Sequence, residues 1–224
     1  MKKILLVSGC SFTDKNAVYS TSHPEMDCTW PKWPELLANK LNMECINLGF
    51  VGSGVEYIHN SLIERILRLN KDRIGLVVSA WSESIRRDWE IQGKKQNSRI
   101  DNKGDIFYFT KRALSYYYSF QTFCENIKIP YKQVQMLRII PNNKSWNINE
   151  ETHILASKYI AKNVLFKNIN KKNFIGWPLD KKLNGYSMQD ILEKNIDKYC
   201  ISKYDKHPNA DGHKKIMELI YENL

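Results

Sequence analysis

Ile4-Leu5-Leu6-Val7-Ser8-Gly9-Cys10-Ser11-Phe12-Thr13 is the stretch that decides the fold. A short apolar run with no alternation reads as a strand buried on both faces, and the glycine directly after it marks a tight turn. A strand covered on both faces belongs to a parallel sheet, whose neighbours are reached through crossover helices. The same run argues against a lipoprotein leader. Val7-Ser8-Gly9-Cys10 after Lys2 and Lys3 has the look of a cleavage box, but Ile4 to Val7 falls short of the roughly 7–15 apolar residues such a segment needs.

Working outward, strands and helices alternate. Residues 10 to 30 are polar and without period, and so predict a loop. Pro34 suits a first helical turn, with Leu36, Leu37 and Leu41 behind it. A short strand is expected from Glu44 to Asn47. After the Gly-rich turn Gly49 to Gly54 comes a helix with Ile58, Leu62, Ile66 and Leu69 on one face. Ile74 to Trp81 reads as a buried strand, and residues 82 to 108 as an irregular, charged insertion. Helices are expected over Thr110 to Ile127, Glu150 to Phe166, Asp190 to Tyr199 and Ala210 to Leu224. Strands are expected through Val134, Met136 and Leu137, and from Phe174 to Trp177. This order predicts an α/β fold with a parallel sheet of about five strands and helices on both faces. Ligands in such sheets bind outside the carboxyl ends of the strands.

Composition agrees with one globular domain over residues 1–224. Of its 224 residues 42% are hydrophobic and 26% charged, and no apolar run reaches the roughly 18–20 residues of a membrane span. The five cysteines (Cys10, Cys28, Cys45, Cys124 and Cys200) are odd in number and scattered, which predicts reduced thiols and a cytoplasmic setting. No metal signature, phosphate loop or dinucleotide fingerprint is present, so neither a metal nor a cofactor is expected. The net charge of +10 is spread along a chain rich in Lys, Asn and Ile, which reads as codon bias more than as a nucleic-acid surface.

Two segments carry chemistry. Ser11 follows the first strand, where a turn can expose a hydroxyl and aim its own N–H at an oxyanion. His207-Pro208-Asn209-Ala210-Asp211-Gly212-His213 precedes the last helix, with Asn209 a natural N-cap. Capping explains Pro208 and Asn209 but not a histidine with Asp205 two residues before it. A serine hydroxyl needs a base, and a carboxylate that fixes the imidazole tautomer completes the set. Cys10, next to Ser11, should turn toward the core, because neighbouring side chains diverge in such a turn.

Taken together, these segments resemble the SGNH (GDSL-like) hydrolase family. Gly9-Cys10-Ser11 resembles its Gly-Asp-Ser block, with Cys10 in place of the aspartate, and Asn47-Leu48-Gly49-Phe50-Val51-Gly52-Ser53 resembles its second block. Residues 205 to 213 resemble the fifth. The resemblance implies a three-layer α/β/α sandwich of flavodoxin-like type, Ser11 as nucleophile, His207 as base, Asp205 as its partner, and the N–H groups of Ser11 and Gly52 as oxyanion donors. His213 falls where the family has a structural histidine. Two departures stand out. The family's third block carries an oxyanion asparagine after the third strand, where this chain has Ser79-Ala80-Trp81-Ser82-Glu83-Ser84, leaving Ser84 or Ser82 as substitute. The family's aspartate lies three residues before the histidine, where this chain has Tyr204. Either an altered turn lets Asp205 reach the ring, or Ser11 and His207 act as a dyad. Gly9-Cys10-Ser11-Phe12-Thr13, Trp33-Pro34 and the pair Trp81 and Arg86 resemble a divergent branch encoded by bacteriophages. Trp81 and Arg86 are candidates for substrate contact, although core packing competes for Trp81. The implied activity is hydrolysis of a small acyl ester, such as an O-acyl group on a carbohydrate. The rival reading is a binding protein on the same fold for an anionic glycan or nucleic acid.

Overall fold

Residues 2–18, 20, 22–91, 94–98, 104–141 and 148–224 are described by the structure, a computed structural model. Five parallel strands form the central sheet: β1 (Ile4–Ser8), β2 (Glu44–Asn47), β3 (Ile74–Trp81), β6 (Tyr131–Gln135) and β7 (Phe174–Ile175), in the order β2-β1-β3-β6-β7. This is the α/β fold expected. Side chains alternate across it: Ile4 and Leu6 enter one core with Val77 and Trp81, while Leu5 and Val7 enter the other with Val78 and Ala80. Helices α2 (Val55–Arg68) and α3 (Ile106–Asn126) cover the first face. Helices α1 (Trp33–Lys40) and α8 (Ala210–Tyr221) cover the second. With both faces covered, the central strand β1 can be apolar on both sides, which explains the unbroken run at Ile4–Val7.

The chain leaves β1 toward β2 on one side and later returns to lay β3 on the other. The strand order therefore reverses at β1, the position where open α/β sheets form a crevice at their carboxyl edge. Pairing of Val7 with Asn47 and of Ser8 with Ser79 brings the ends of all three strands to one level.

The described part of the expected insertion 82–108 contains regular structure. A hairpin of β4 (Arg87–Ile91) and β5 (Lys94–Ser98) lies there, and Asp88 accepts hydrogen bonds from the N–H groups of Gly54 (2.9 Å) and Tyr57 (3.0 Å). Gly54 has no side chain with which to cap α2, so an acid from another element does so, which local sequence does not reveal. The next helix starts at Ile106 rather than Thr110 because Asp105 caps it, accepting from Tyr108 N–H. The expected helix 150–166 divides into α4 (Glu150–Lys162) and α5 (Val164–Asn168), since Asn163 turns extended and caps the second piece. Similarly, α6 (Met188–Leu192) and α7 (Ile196–Tyr199) replace one helix, with Asn195 capping the second. The fifth strand stops at Ile175, where Gly176 takes a positive φ of 97° and a Cβ would meet Tyr186 O at 2.4 Å.

Candidate active site

The turn after β1 is built by the backbone. The N–H groups of Thr13 (2.8 Å) and Asp14 (3.0 Å) both donate to Cys10 O, so the chain reverses within one turn and lifts Ser11 over the sheet edge. Gly9 is required there, because a Cβ would come within 2.2 Å of Thr13 Oγ1. Cys10 points into the second core at 0% exposure, and burial pushes its thiol pKa up. Ser11 is half-buried and faces the cleft.

The loop after β2 is tied to this turn. Phe50 N–H donates to Gly9 O (3.0 Å), Val51 N–H to Asp14 Oδ2 (3.0 Å), and the Asn47 amide to Thr13 O (2.8 Å). Gly52 sits beyond Val51 at a φ of 76°, in the left-handed region that favours glycine. Among the described residues, neither the Ser11 nor the Gly52 N–H donates a hydrogen bond.

Histidine 207 comes from the loop before α8. Its Nε2 lies 2.9 Å from Ser11 Oγ across 196 residues of sequence, and its Nδ1 lies 2.6 Å from Asp205 Oδ1. The spacing of two residues works because Asp205 forms an Asx turn. Its Oδ1 accepts the backbone N–H of His207 (3.1 Å), which swings the imidazole over the same oxygen. Ser202 Oγ accepts the N–H groups of Tyr204 and Asp205, and Ile201 N–H donates to His207 O (2.9 Å), closing the loop. Tyr204, three residues before His207, is 75% exposed and lines the polar cavity without joining this series of hydrogen bonds.

Burial alone would raise the Asp205 carboxyl, but hydrogen bonds from Ser20 Oγ (2.5 Å) and from His207 hold it below its usual value. It is therefore ionised at neutral pH and accepts only. Nδ1 must carry the proton toward it, leaving Nε2 to accept from Ser11 O–H. Ser20, Ser202 and His23, whose Nε2 shares a hydrogen bond with Ser202 Oγ, brace the loop. Sequence reading missed all three, because Ser and His in a polar loop carry no local signal.

Two cavities meet at Ser11, Asp205 and His207. One, of about 220 Å³, has walls from Ala17, Val18, Cys28, Val51, Ile201 and Pro208, with the buried ammonium of Lys32 donating to Cys28 O (2.6 Å) beside it. The other, of about 280 Å³, is polar, with Glu83, Arg86, Gln189 and Lys206 on its wall. Among the described residues no group of three metal-ligating side chains occurs.

Two expected site residues lie elsewhere. Trp81 is fully buried against Tyr117 (ring centroids 4.6 Å apart), with its N–H on Gln133 Oε1, so it packs the core and lines neither of these cavities. Ser84 is buried too, and its hydroxyl donates to Ile139 O (2.6 Å) instead of facing the cleft. The side chain falls on the inner side of the turn after β3, a direction that spacing alone does not fix. Arg86 does line the polar cavity.

Solved structures of similar shape include esterases. A protein of the G-D-S-L lipolytic family from Desulfitobacterium hafniense superposes with a TM-score of 0.54 at 15% identity, covering 100% of both chains. A catalytic mutant of an acetylxylan esterase from Geobacillus stearothermophilus gives 0.55 at 12% identity, over 99% of this chain and 93% of that one. A psychrotrophic esterase from Pseudoalteromonas, inhibited by monoethylphosphonate, gives 0.53 at 12%, over 99% and 96%. At such identities the likeness speaks for the fold alone, an α/β fold shared with these esterases. No protein-family profile and no curated protein matches the sequence.

Proposed function

We propose that this chain, acting as one domain, is a serine hydrolase that cleaves a small acyl ester, with the O-acyl group of a carbohydrate as the favoured substrate class. The observation that carries the reading is the hydrogen-bonded series from Ser11 through His207 to Asp205, set at the reversal of strand order. Ser11 Oγ attacks the ester carbonyl as His207 Nε2 takes its proton, and the Asp205 carboxylate stabilises the imidazolium. The N–H groups of Ser11 and Gly52 hold the oxyanion. His207 then returns the proton to the leaving alcohol, and water releases the acid from Ser11 by the same steps reversed. The apolar cavity suits a small acyl group, and the polar one, with Arg86 on its wall, a hydroxylated substrate. Within the hydrolases, the start Gly9–Thr13 favours the divergent branch described above.

The test is direct. A fluorophosphonate probe should label the purified wild-type chain at Ser11, and p-nitrophenyl acetate should be turned over. If no label is taken up and no ester is cleaved, a binding role on the same fold replaces this reading.

A further inference from the structure

The turn after β3 holds no asparagine, and its serines do not reach the cleft: Ser84 Oγ is committed to Ile139 O, and Ser82 is fully buried away from both cavities. Two side chains of this turn, Glu83 and Arg86, do reach the cavity shared with Ser11 and His207, and of the two only the guanidinium can donate. Arg86 is 2% exposed, and its Nε donates to Glu83 Oε2 at 2.8 Å. Among the described residues that is the guanidinium's one hydrogen bond, so both terminal nitrogens keep their donors. Neither terminal nitrogen is sealed from the cavity, so both can donate to a group bound there.

The turn is held rigidly. Ser84 N–H and Oγ both bond Ile139 O, Arg86 N–H donates to Glu83 O, and Arg112 Nη2 donates to the carbonyls of Ser84 (2.8 Å) and Arg86 (2.6 Å). Arg86 O also lies 2.9 Å from where a Gly54 Cβ would sit, so the turn abuts the loop that carries Gly52. Glu83 fixes the guanidinium through Nε, and its charge offsets the cation's repulsion of an imidazolium at His207.

We infer that Arg86 is the third oxyanion donor, its terminal N–H groups serving the developing alkoxide where related folds use an asparagine amide. This rests on the esterase reading above. A charged donor already in place in a site sheltered from water needs no reorganisation as the oxyanion forms. Arg86 then contacts the carbonyl oxygen of the substrate and is a catalytic residue in its own right.

The experiment uses the full chain with p-nitrophenyl acetate and a p-nitrophenyl phosphonate. Because Arg86→Gln alone breaks the Glu83 ion pair, the paired change Arg86→Gln with Glu83→Gln is made beside Arg86→Lys and Ser84→Ala. The paired variant should lose about 10²–10³-fold in kcat with KM little changed, as loss of one oxyanion donor does, and phosphonylation should slow in parallel. Arg86→Lys should fall between, and Ser84→Ala should stay within a few-fold of wild type. A paired variant with kcat within a few-fold of wild type, or with its loss confined to KM, overturns the assignment while the esterase reading stands. If that variant does not fold, as its thermal melt would show, Arg86→Lys decides by the same split of kcat and KM. A wild type that neither hydrolyses nor takes up label ends both readings together.

Discussion

The turn after β1 and the turn after β3 leave the same edge of the sheet from paired strands, yet they differ in how much of their closure is local. Each has remote ties, but the first has two bonds of its own to one carbonyl and the second a single long one. The first is closed by backbone bonds within five residues, Thr13 and Asp14 N–H to Cys10 O. The second is held from far away, by Arg112 on α3 and by Ile139 O beyond β6. A turn closed by its own backbone depends on a few residues in a row, so its role is written as a short motif. A turn closed by remote groups can change its own residues and keep its shape. That contrast explains why the position of Ser11 is legible in a short stretch of sequence while the residues of the second turn are not.

The sharpest way to break the comparison is at Ser11. Ser11→Ala should lower turnover of p-nitrophenyl acetate by on the order of 10⁴–10⁶-fold, leaving what binding and oxyanion contacts provide. Cys10→Ala should keep most activity and lose about 1 kcal/mol of stability in urea melts. A dead Cys10→Ala beside an active Ser11→Ala would reverse the reading of this turn.

Next in size is the pair Asp205 and Tyr204. Asp205→Asn should lower kcat by about 10⁴-fold, because an amide no longer enforces the right tautomer of His207. Tyr204→Phe should stay within about two-fold, its side chain being exposed. Equal, small effects would mean that Ser11 and His207 act without the carboxylate.

The smallest effect separates the two histidines of the last loop and helix. His213 is buried on α8 with Nδ1 accepting Trp33 N–H (3.3 Å); burial, then the charges of Lys32 and His207, push its pKa down to about 3. Its unfolded value is about 6.5, so the unfolded chain binds the extra proton. Stability is therefore full above about pH 6.5 and falls as pH drops toward 3, by about 2 kcal/mol at pH 5 from this group alone. Urea midpoints from pH 8 to pH 5 should drop less in His213→Gln than in wild type. Parallel curves would show that His213 does not carry this acid sensitivity.

Much of the chain was legible because the relevant physics is local. An unbroken apolar run at Ile4–Val7, a helical stripe at Ile58, Leu62 and Ile66, and Asn209 ahead of Gly212 each report their state over a few residues. Where a distant group intervenes, local reading failed. The hairpin at 87–98 was hidden because Asp88 serves as the cap of α2, and Asn163 and Asn195 broke helices that hydropathy alone would continue. The spacing of Asp205 and His207 raised a doubt that an Asx turn resolves, since one carboxylate oxygen accepts both the backbone and the ring N–H.

The sequence by itself determined the parallel α/β sheet, the placing of Ser11 after its first strand and the nearness in sequence of Asp205 to His207. Each follows from burial periodicity or from contacts between neighbours along the chain. Only the tertiary structure decided that His207 Nε2 meets Ser11 Oγ across 196 residues, that Trp81 and Ser84 turn inward, and that Arg86 enters the cleft. Those outcomes depend on which way a side chain leaves a turn. That direction is set by hydrogen bonds to Ile139 and Arg112 and by the helices packed on each face, none of which a local stretch of sequence contains.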